Sequence, residues 1–453
     1  MPKPKPKKRT ERSTPISRAK RYARVGGKLS GVAVKGAAQR FLGLEIDKSA
    51  EAQALKNALG GLKGPLMKIA QILGTIPGSV PEEYEFQLRQ LQTQAPSMGW
   101  PFVRRRMMAE LGPDWQKLFK SFEHEAAAAA SLGQVHKAVS KDGKMLACKL
   151  QYPDMESAVD ADLKQLALIL KIYKNMHGGV DTKDVYQEIS ERLREELDYE
   201  LESKHMRVYA QMLASEDNVH IPAPIADLST KRLLTMNWLD GKPILDFKKS
   251  DLKIRNTLAL HMFRAWYVPF YNYGIIHGDP HFGNYSVRPD LSINLLDFGC
   301  VRVFNPDFVK GVIDLYFALA DDKPELAVEA YKIWGFKNPS KHLIDVLNKW
   351  ANFLYGPILQ DKVLKMSETH SGDAGRKVAS EVHAELRKIG GVKPPREFVF
   401  MDRAAVGLGS VFIHLNAEIN WYKLFHELIA DFDVKTLAKR QAKILRENPL
   451  PSP

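Results

Sequence analysis

The chain has 453 residues, 45% of them hydrophobic, enough for a sizeable core spread over more than one lobe. Its two cysteines, Cys148 and Cys300, are too few for a disulfide framework and fit a reducing compartment. The net charge of +13 is local, because residues 1–40 hold thirteen Lys or Arg against one acid, Glu11, which leaves the rest of the chain close to neutral; with no basic stripe interleaved with aromatics in the remainder, nucleic acid is not expected as a partner.

Met1 to Arg12 alternates Pro with Lys and reads as unstructured. From Ser17 to Phe41 small and apolar residues alternate with basic ones. Three readings stand for this stretch: a basic amphipathic helix on an anionic membrane, a solubilising tail, and an acid-poor, Arg-rich mitochondrial transit segment. Residues 1–45 are therefore set apart as a basic tail. Ala50 to Gln92 is predicted helical; Leu62 to Leu73 places apolar residues at helical spacing, with Pro65 near the start. Gly78 to Glu83 reads as a turn into a further helix, and Trp100 to Leu111 as a short helix stopped by Gly112-Pro113. Residues 46–114 thus form a helical extension.

Near Phe119 the texture changes. Five alanines precede Ser131-Leu132-Gly133-Gln134-Val135, Lys141-Asp142-Gly143 makes a turn, and Lys144 to Gln151 alternates as a strand. On that strand Leu146, Cys148 and Leu150 share one face, which puts Lys149 on the other. Met155 to Met176 and Thr182 to Met206 read as two long helices, Ile221 to Ala226 and Arg232 to Met236 as strands, and Trp238 to Gly241 as a turn. The remainder is mainly helical. Its longest apolar run, Leu258 to Ile276, is interrupted by His261 and Arg264, so no bilayer-spanning helix is expected. Helices, then a small antiparallel sheet (115–240), then a helical lobe (241–453) indicate an α+β, two-lobed fold.

His277-Gly278-Asp279-Pro280-His281-Phe282-Gly283-Asn284, followed by Leu295-Leu296-Asp297-Phe298-Gly299, carries the chemistry. Asp279 and Asn284 lie five positions apart, and Asp297 follows thirteen later. A kinase catalytic loop has this arrangement: the first Asp orients the attacking group, and the Asn and second Asp hold Mg2+ on the nucleotide phosphates. Magnesium prefers such oxygen ligands and keeps several waters. Lys149 is the candidate phosphate-contacting lysine. The alanine tip, Ala128-Ala129-Ala130-Ser131, stands where a glycine-rich loop would cover the phosphates; each Cβ stiffens it, leaving Ser131 and Gly133 able to approach them.

Together these residues resemble the UbiB family of atypical protein-kinase-like proteins, also called aarF-domain kinases, over roughly residues 55–305. The alanine tip through His136 matches the family's Ala-rich loop, Lys149 its strand lysine, and Glu196-Leu197-Asp198 its Glu-x-Asp motif. Glu202 matches the helix glutamate that pairs with the strand lysine, and Lys68-Ile69-Ala70-Gln71 matches Lys-x-Gly-Gln, with Ala70 in place of the glycine. Phe282 stands where the family commonly has Pro.

The resemblance implies a bilobal protein-kinase-like fold with the N-terminal extension over the active site. In it Lys68 and Gln71 form a regulatory lid near Glu196 and Asp198, and Asn237, Trp238 and Leu239 hold adenine through backbone groups. It implies Mg-ATP as cofactor and an atypical kinase or ATPase serving ubiquinone or other isoprenoid-lipid metabolism at a membrane surface. The partners implied are a lipid-like or quinone-precursor ligand and a biosynthetic complex. The location implied is cytoplasmic or peripheral on a membrane, or the mitochondrial matrix if the tail is a transit segment. Two rivals remain: a nucleotide-sensing scaffold regulating such a complex, and a small-molecule kinase resembling aminoglycoside phosphotransferases.

Overall fold

The computed structural model describes residues 98–130, 132–177, 182–336, 338–366 and 396–450, with short pieces of 377–389. The basic tail, most of the helical extension, Lys68, Gln71 and Ser131 lie outside the described residues. The chain divides into two compact units, one running through Glu200 and including Ile225–Asn237, the other Leu201–Pro224 with Trp238 onward.

In the first unit, helix α1 (Trp100–Leu111) has the predicted bounds. It starts on Pro101 and ends at Gly112, whose φ of +91° suits glycine. Strands β1 (Phe119–Ala130), β2 (Gly133–Ser140) and β3 (Met145–Gln151) follow as an antiparallel meander. Strand β5 (Leu233–Asn237) then pairs with β3 to give the order β1-β2-β3-β5. The predicted core face of β3 holds: Leu146, Cys148 and Leu150 pack with Val103 and Met107 of α1, Trp115, Phe119 and Leu233. Helices α2 (Met155–His177) and α3 (Thr182–Glu195) build a second cluster with Leu132 and Tyr152 through Val159, Leu163, Ile189 and Leu193.

Two sequence expectations change here. The helix expected over Thr182 to Met206 is two helices, α3 and α4 (Tyr199–Met212), broken at Glu196-Leu197-Asp198. Groups distant in sequence satisfy the break: the Gln151 amide donates to the Leu197 carbonyl at 2.6 Å, and the Tyr199 N–H donates to the Lys231 carbonyl at 3.1 Å. The strand expected over Ile221 to Ala226 is instead the two residues Val219–His220 (β4), followed by coil and a 3-10 turn at Ala226–Leu228. Pro222 and Pro224 remove the donors a longer ladder needs.

The second unit is mainly helical, as expected. Helix α5 (Leu252–Tyr273) is buried over much of its surface, with Trp266 and Phe270 almost inaccessible, so the long apolar run is a core helix. It ends on Gly274 at φ +63°, the left-handed cap that turns the chain into β7 (Ile275–His277). Among the described residues no helix is long and apolar enough to cross a membrane. Strand β7 pairs antiparallel with β10 (Val301–Val303). Strands β6 (Lys242–Pro243), β8 (Tyr285–Val287) and β9 (Ile293–Leu295) form a sheet with β4 in the order β4-β9-β8-β6. Helices α6 (Pro306–Ala320), α7 (Pro324–Ile333), α8 (Lys341–Tyr355), α9 (Arg396–Leu415), α10 (Trp421–Ile429) and α11 (Val434–Glu447) complete the unit. A short ladder of β11 (Leu364–Lys365) with β12 (Glu418–Ile419) lies among them.

Candidate active site

The second unit assembles Asp279, Asn284 and Asp297 on two short ladders. Asp279 follows β7 and Asp297 precedes β10, with the Gly278 N–H donating to the Cys300 carbonyl at 2.8 Å. Asn284 precedes β8 and Leu296 follows β9, and the Leu296 N–H donates to the Asn284 carbonyl at 2.8 Å. The hairpin register therefore sets the amide and the second carboxylate on either side of one backbone hydrogen bond.

Within the loop the Asn284 amide nitrogen donates to the Asp279 carbonyl at 2.9 Å and to its carboxylate at 3.3 Å. The amide's donors are thereby committed, while its Oδ1 accepts no hydrogen bond among the described residues. That oxygen and the Asp297 carboxylate are hard oxygen donors of the kind Mg2+ takes, so the residues present fit the ion. Among the described residues no cluster of three or more His, Cys, Asp or Glu forms a metal cage.

Three buried side chains, His277 at the head of the motif and two on α4, hold this frame, and sequence reasoning missed these contacts. The His277 ring accepts the Asp279 N–H on Nδ1 at 3.2 Å, so Nε2 carries the proton and donates to the Asp297 carbonyl at 2.5 Å. On α4, Glu202 accepts the Phe298 N–H at 3.4 Å, and His205 Nδ1 lies 2.8 Å from the Phe298 carbonyl. His277, Glu202, His205 and Phe298 are all buried. The spacing Glu202–His205 is one helical turn, a signal legible only once the partner strand is known.

Helix α9, in a region to which the sequence assigned no motif, packs on the loop. A Cβ on Gly407 would lie 2.4 Å from Cγ of Pro280, and the Phe282 ring meets His414 edge-on at 4.8 Å. A glycine inside a helix was the available clue. The Tyr285 hydroxyl donates to the Pro280 carbonyl at 3.0 Å, and burial, reinforced by the Asp279 charge, pushes its pKa well up, so it stays a neutral donor.

In the first unit Lys149 is buried on β3, opposite Val135 and Leu234, with its Nζ 5.2 Å from the Tyr199 ring centroid. A cation over an aromatic face gains electrostatically, most when desolvated. Two residues along the strand, Gln151 anchors Leu197, so Glu196 and Asp198 flank a point fixed to the lysine's own strand. Ala128 and Ala129 are exposed, and the tip pairs Ala130 with Gly133. Gly133 itself is buried: a Cβ there would lie 2.2 Å from the Leu150 carbonyl oxygen, so this glycine allows close strand packing. Asn237 ends β5 opposite Leu146, and the Trp238 indole donates to Asp240 at 2.8 Å. Asn237 belongs to the first unit and Trp238 and Leu239 to the second, as do Lys149 and Glu202 respectively.

Residues 90–330 match the model of the ABC1 atypical kinase-like domain, more than half of the chain. The chain belongs to this family, the UbiB family. Mitochondrial atypical kinase coq-8 of Caenorhabditis elegans is 26% identical over 402 residues, covering 84% of this chain and 51% of that one. Mitochondrial atypical kinase COQ8 of Saccharomyces cerevisiae is 25% identical over 92% of this chain and 86% of its own. AarF domain-containing protein kinase 1 of Mus musculus is 32% identical over 54% and 48%. The chain spans about half the length of several of these curated relatives. A solved structure, the Rv3197–erythromycin complex from Mycobacterium tuberculosis, superposes with a TM-score of 0.59 at 25% identity, covering 89% of this chain and 98% of that one. The two-lobed, kinase-like α+β class expected from the sequence is therefore the class of this UbiB chain.

Proposed function

We propose that this chain binds Mg-ATP and acts as an atypical kinase or ATPase in support of ubiquinone or other isoprenoid-lipid metabolism at a membrane surface. The observation that carries the reading is the common frame of Asp279, Asn284 and Asp297, whose backbone neighbours are hydrogen-bonded to one another. Asp279 orients the attacking oxygen and takes up its proton, while the Asn284 amide holds that aspartate in place. Asn284 and Asp297 hold Mg2+, which neutralises charge on the phosphates. Lys149 neutralises phosphate charge from the sheet, with Glu202 as its acidic partner.

In this proposal Ala128–Ala130 and Ser131 cover the phosphates, and Asn237, Trp238 and Leu239 hold adenine. Lys68 and Gln71 form a lid whose lysine is held by Glu196 and Asp198. The names of the curated relatives, mitochondrial atypical kinases and aarF-domain kinases, support the quinone-linked reading and a mitochondrial or related membrane setting. The partners in this proposal are a biosynthetic complex and a lipid-like or quinone-precursor ligand.

Steady-state phosphate release from MgATP tests the enzyme. Measurable turnover abolished by both Asp279→Asn and Asp297→Asn is expected; turnover unchanged in both would remove it. For the membrane role, anionic liposomes are expected to co-sediment with the protein and raise its rate, whereas neither effect would leave the tail a solubilising segment.

A further inference from the structure

The reading above assigns Glu202 to the strand lysine and gives His205 no task. We infer that His205 on α4 is a positioning residue for the metal-ligating Asp297, holding the Phe298 carbonyl one helical turn from Glu202, which accepts the Phe298 N–H. This inference rests on the Mg-nucleotide reading and adds the residues that aim one of its ligands.

The polar backbone atoms next to Asp297 are held by buried side chains. The Asp297 carbonyl takes the His277 proton, the Phe298 N–H goes to Glu202, and the Phe298 carbonyl faces His205 Nδ1. The Asp297 carboxylate itself accepts the Gly299 N–H at 3.0 Å, which fixes its side-chain rotation relative to the same peptide. Phe298 is fully buried, with its ring 5.2 Å from Tyr209 and 5.6 Å from His277, so this segment has little room to relax if a partner is lost. A hard ion demands near-ideal ligand placement, and losing a group that orients a ligand typically costs about tenfold or more in metal affinity. Glu202 and His205 lie one turn apart on α4, so a shift or rotation of that helix displaces both grips together. His205 is therefore a positioning residue that never touches the ion.

The test is a set of His205 variants read by MgADP-dependent thermal stabilisation, with Mg2+ titrated at fixed ADP and ADP titrated at saturating Mg2+. His205→Asn keeps an N–H donor near the Nδ1 position; His205→Leu keeps bulk without a donor; His205→Gln moves the donor to the Nε2 position. His205→Leu and His205→Gln are expected to raise the Mg2+ half-saturation point by about tenfold, in the range found for such supporting groups. His205→Asn is expected to stay near wild type, with the ADP midpoint at saturating Mg2+ changing little in all three. If His205→Leu does not fold, His205→Gln against His205→Asn carries the comparison. Equal Mg2+ midpoints for Asn and Gln, or equal weakening of the Mg2+ and ADP midpoints, would overturn the inference. A wild-type protein that MgADP does not stabilise would instead sink the nucleotide reading itself.

Discussion

Lys149 and Asp297 are placed by different means. Lys149 is set by the sheet: its backbone pairs with Val135 on one side and Leu234 on the other, and alternation along β3 decides its face. Asp297 lies in irregular backbone between β9 and β10, where side chains from β7 and α4 replace the missing ladder. A ladder spreads the fixing of one residue over many equivalent bonds; a set of single side-chain bonds concentrates it, so each matters more.

The largest expected effect is chemical. Asp297→Asn keeps the shape but removes the charge, and turnover is expected to drop by about a thousandfold in a phosphate-release assay. Next come substitutions that strike the two supports. Gly133→Ala forces a methyl against the Leu150 carbonyl oxygen at 2.2 Å, and a stability loss of about 2–3 kcal/mol is expected in urea denaturation. His277→Ala removes the donor to the part-buried Asp297 carbonyl, a cost of about 1–3 kcal/mol, and unlike Gly133→Ala it is expected to weaken Mg2+ binding as well. Lys149→Met sharpens the contrast from the other side. The β3 ladder survives, and MgATP affinity in calorimetry is expected to fall with the loss of the phosphate-neutralising charge. Unchanged MgATP affinity would show that the lysine is structural.

The smallest effect is on pH. Burial holds the His136 pKa below its ordinary 6.5, against the raising influence of its bond to the Glu123 carbonyl. A depressed folded-state value means the contribution is complete above 6.5 and is lost as pH falls through the lower folded value. Urea midpoints are expected to be level above that pH and to decline below it, with His136→Gln flattening part of the decline. His220 and His261 are also lowered by burial and are expected to supply the rest.

The difference in means also explains what the sequence disclosed. Period-two alternation put Lys149 on its face correctly, and the end of helix α1 was legible from Gly112-Pro113. The motif spacing picked out Asp279, Asn284 and Asp297. What stayed hidden depends on partners distant in the chain. The break between α3 and α4 leaves no gap in apolar periodicity, because the Gln151 side chain and the Lys231 carbonyl make up the lost helical bonds. The expected strand at Ile221 to Ala226 does not form, because Pro222 and Pro224 lack the donors a ladder there needs. The task of α9 against Pro280 and Phe282 is hidden in a helix with no polar signature.

Strand β1 runs twelve residues along the outside of its sheet, a length that invites another chain to add on. Its pairing with β2 slips at three places, and Lys120, Glu123 and Glu125 are exposed along it. Irregular pairing twists the strand and like-charged copies repel, so an alanine-rich border is kept from templating fibrils. Replacing Glu123 and Glu125 together by Val would remove both acids from this rim, and light scattering at raised protein concentration is expected to report more time-dependent self-association than for the parent.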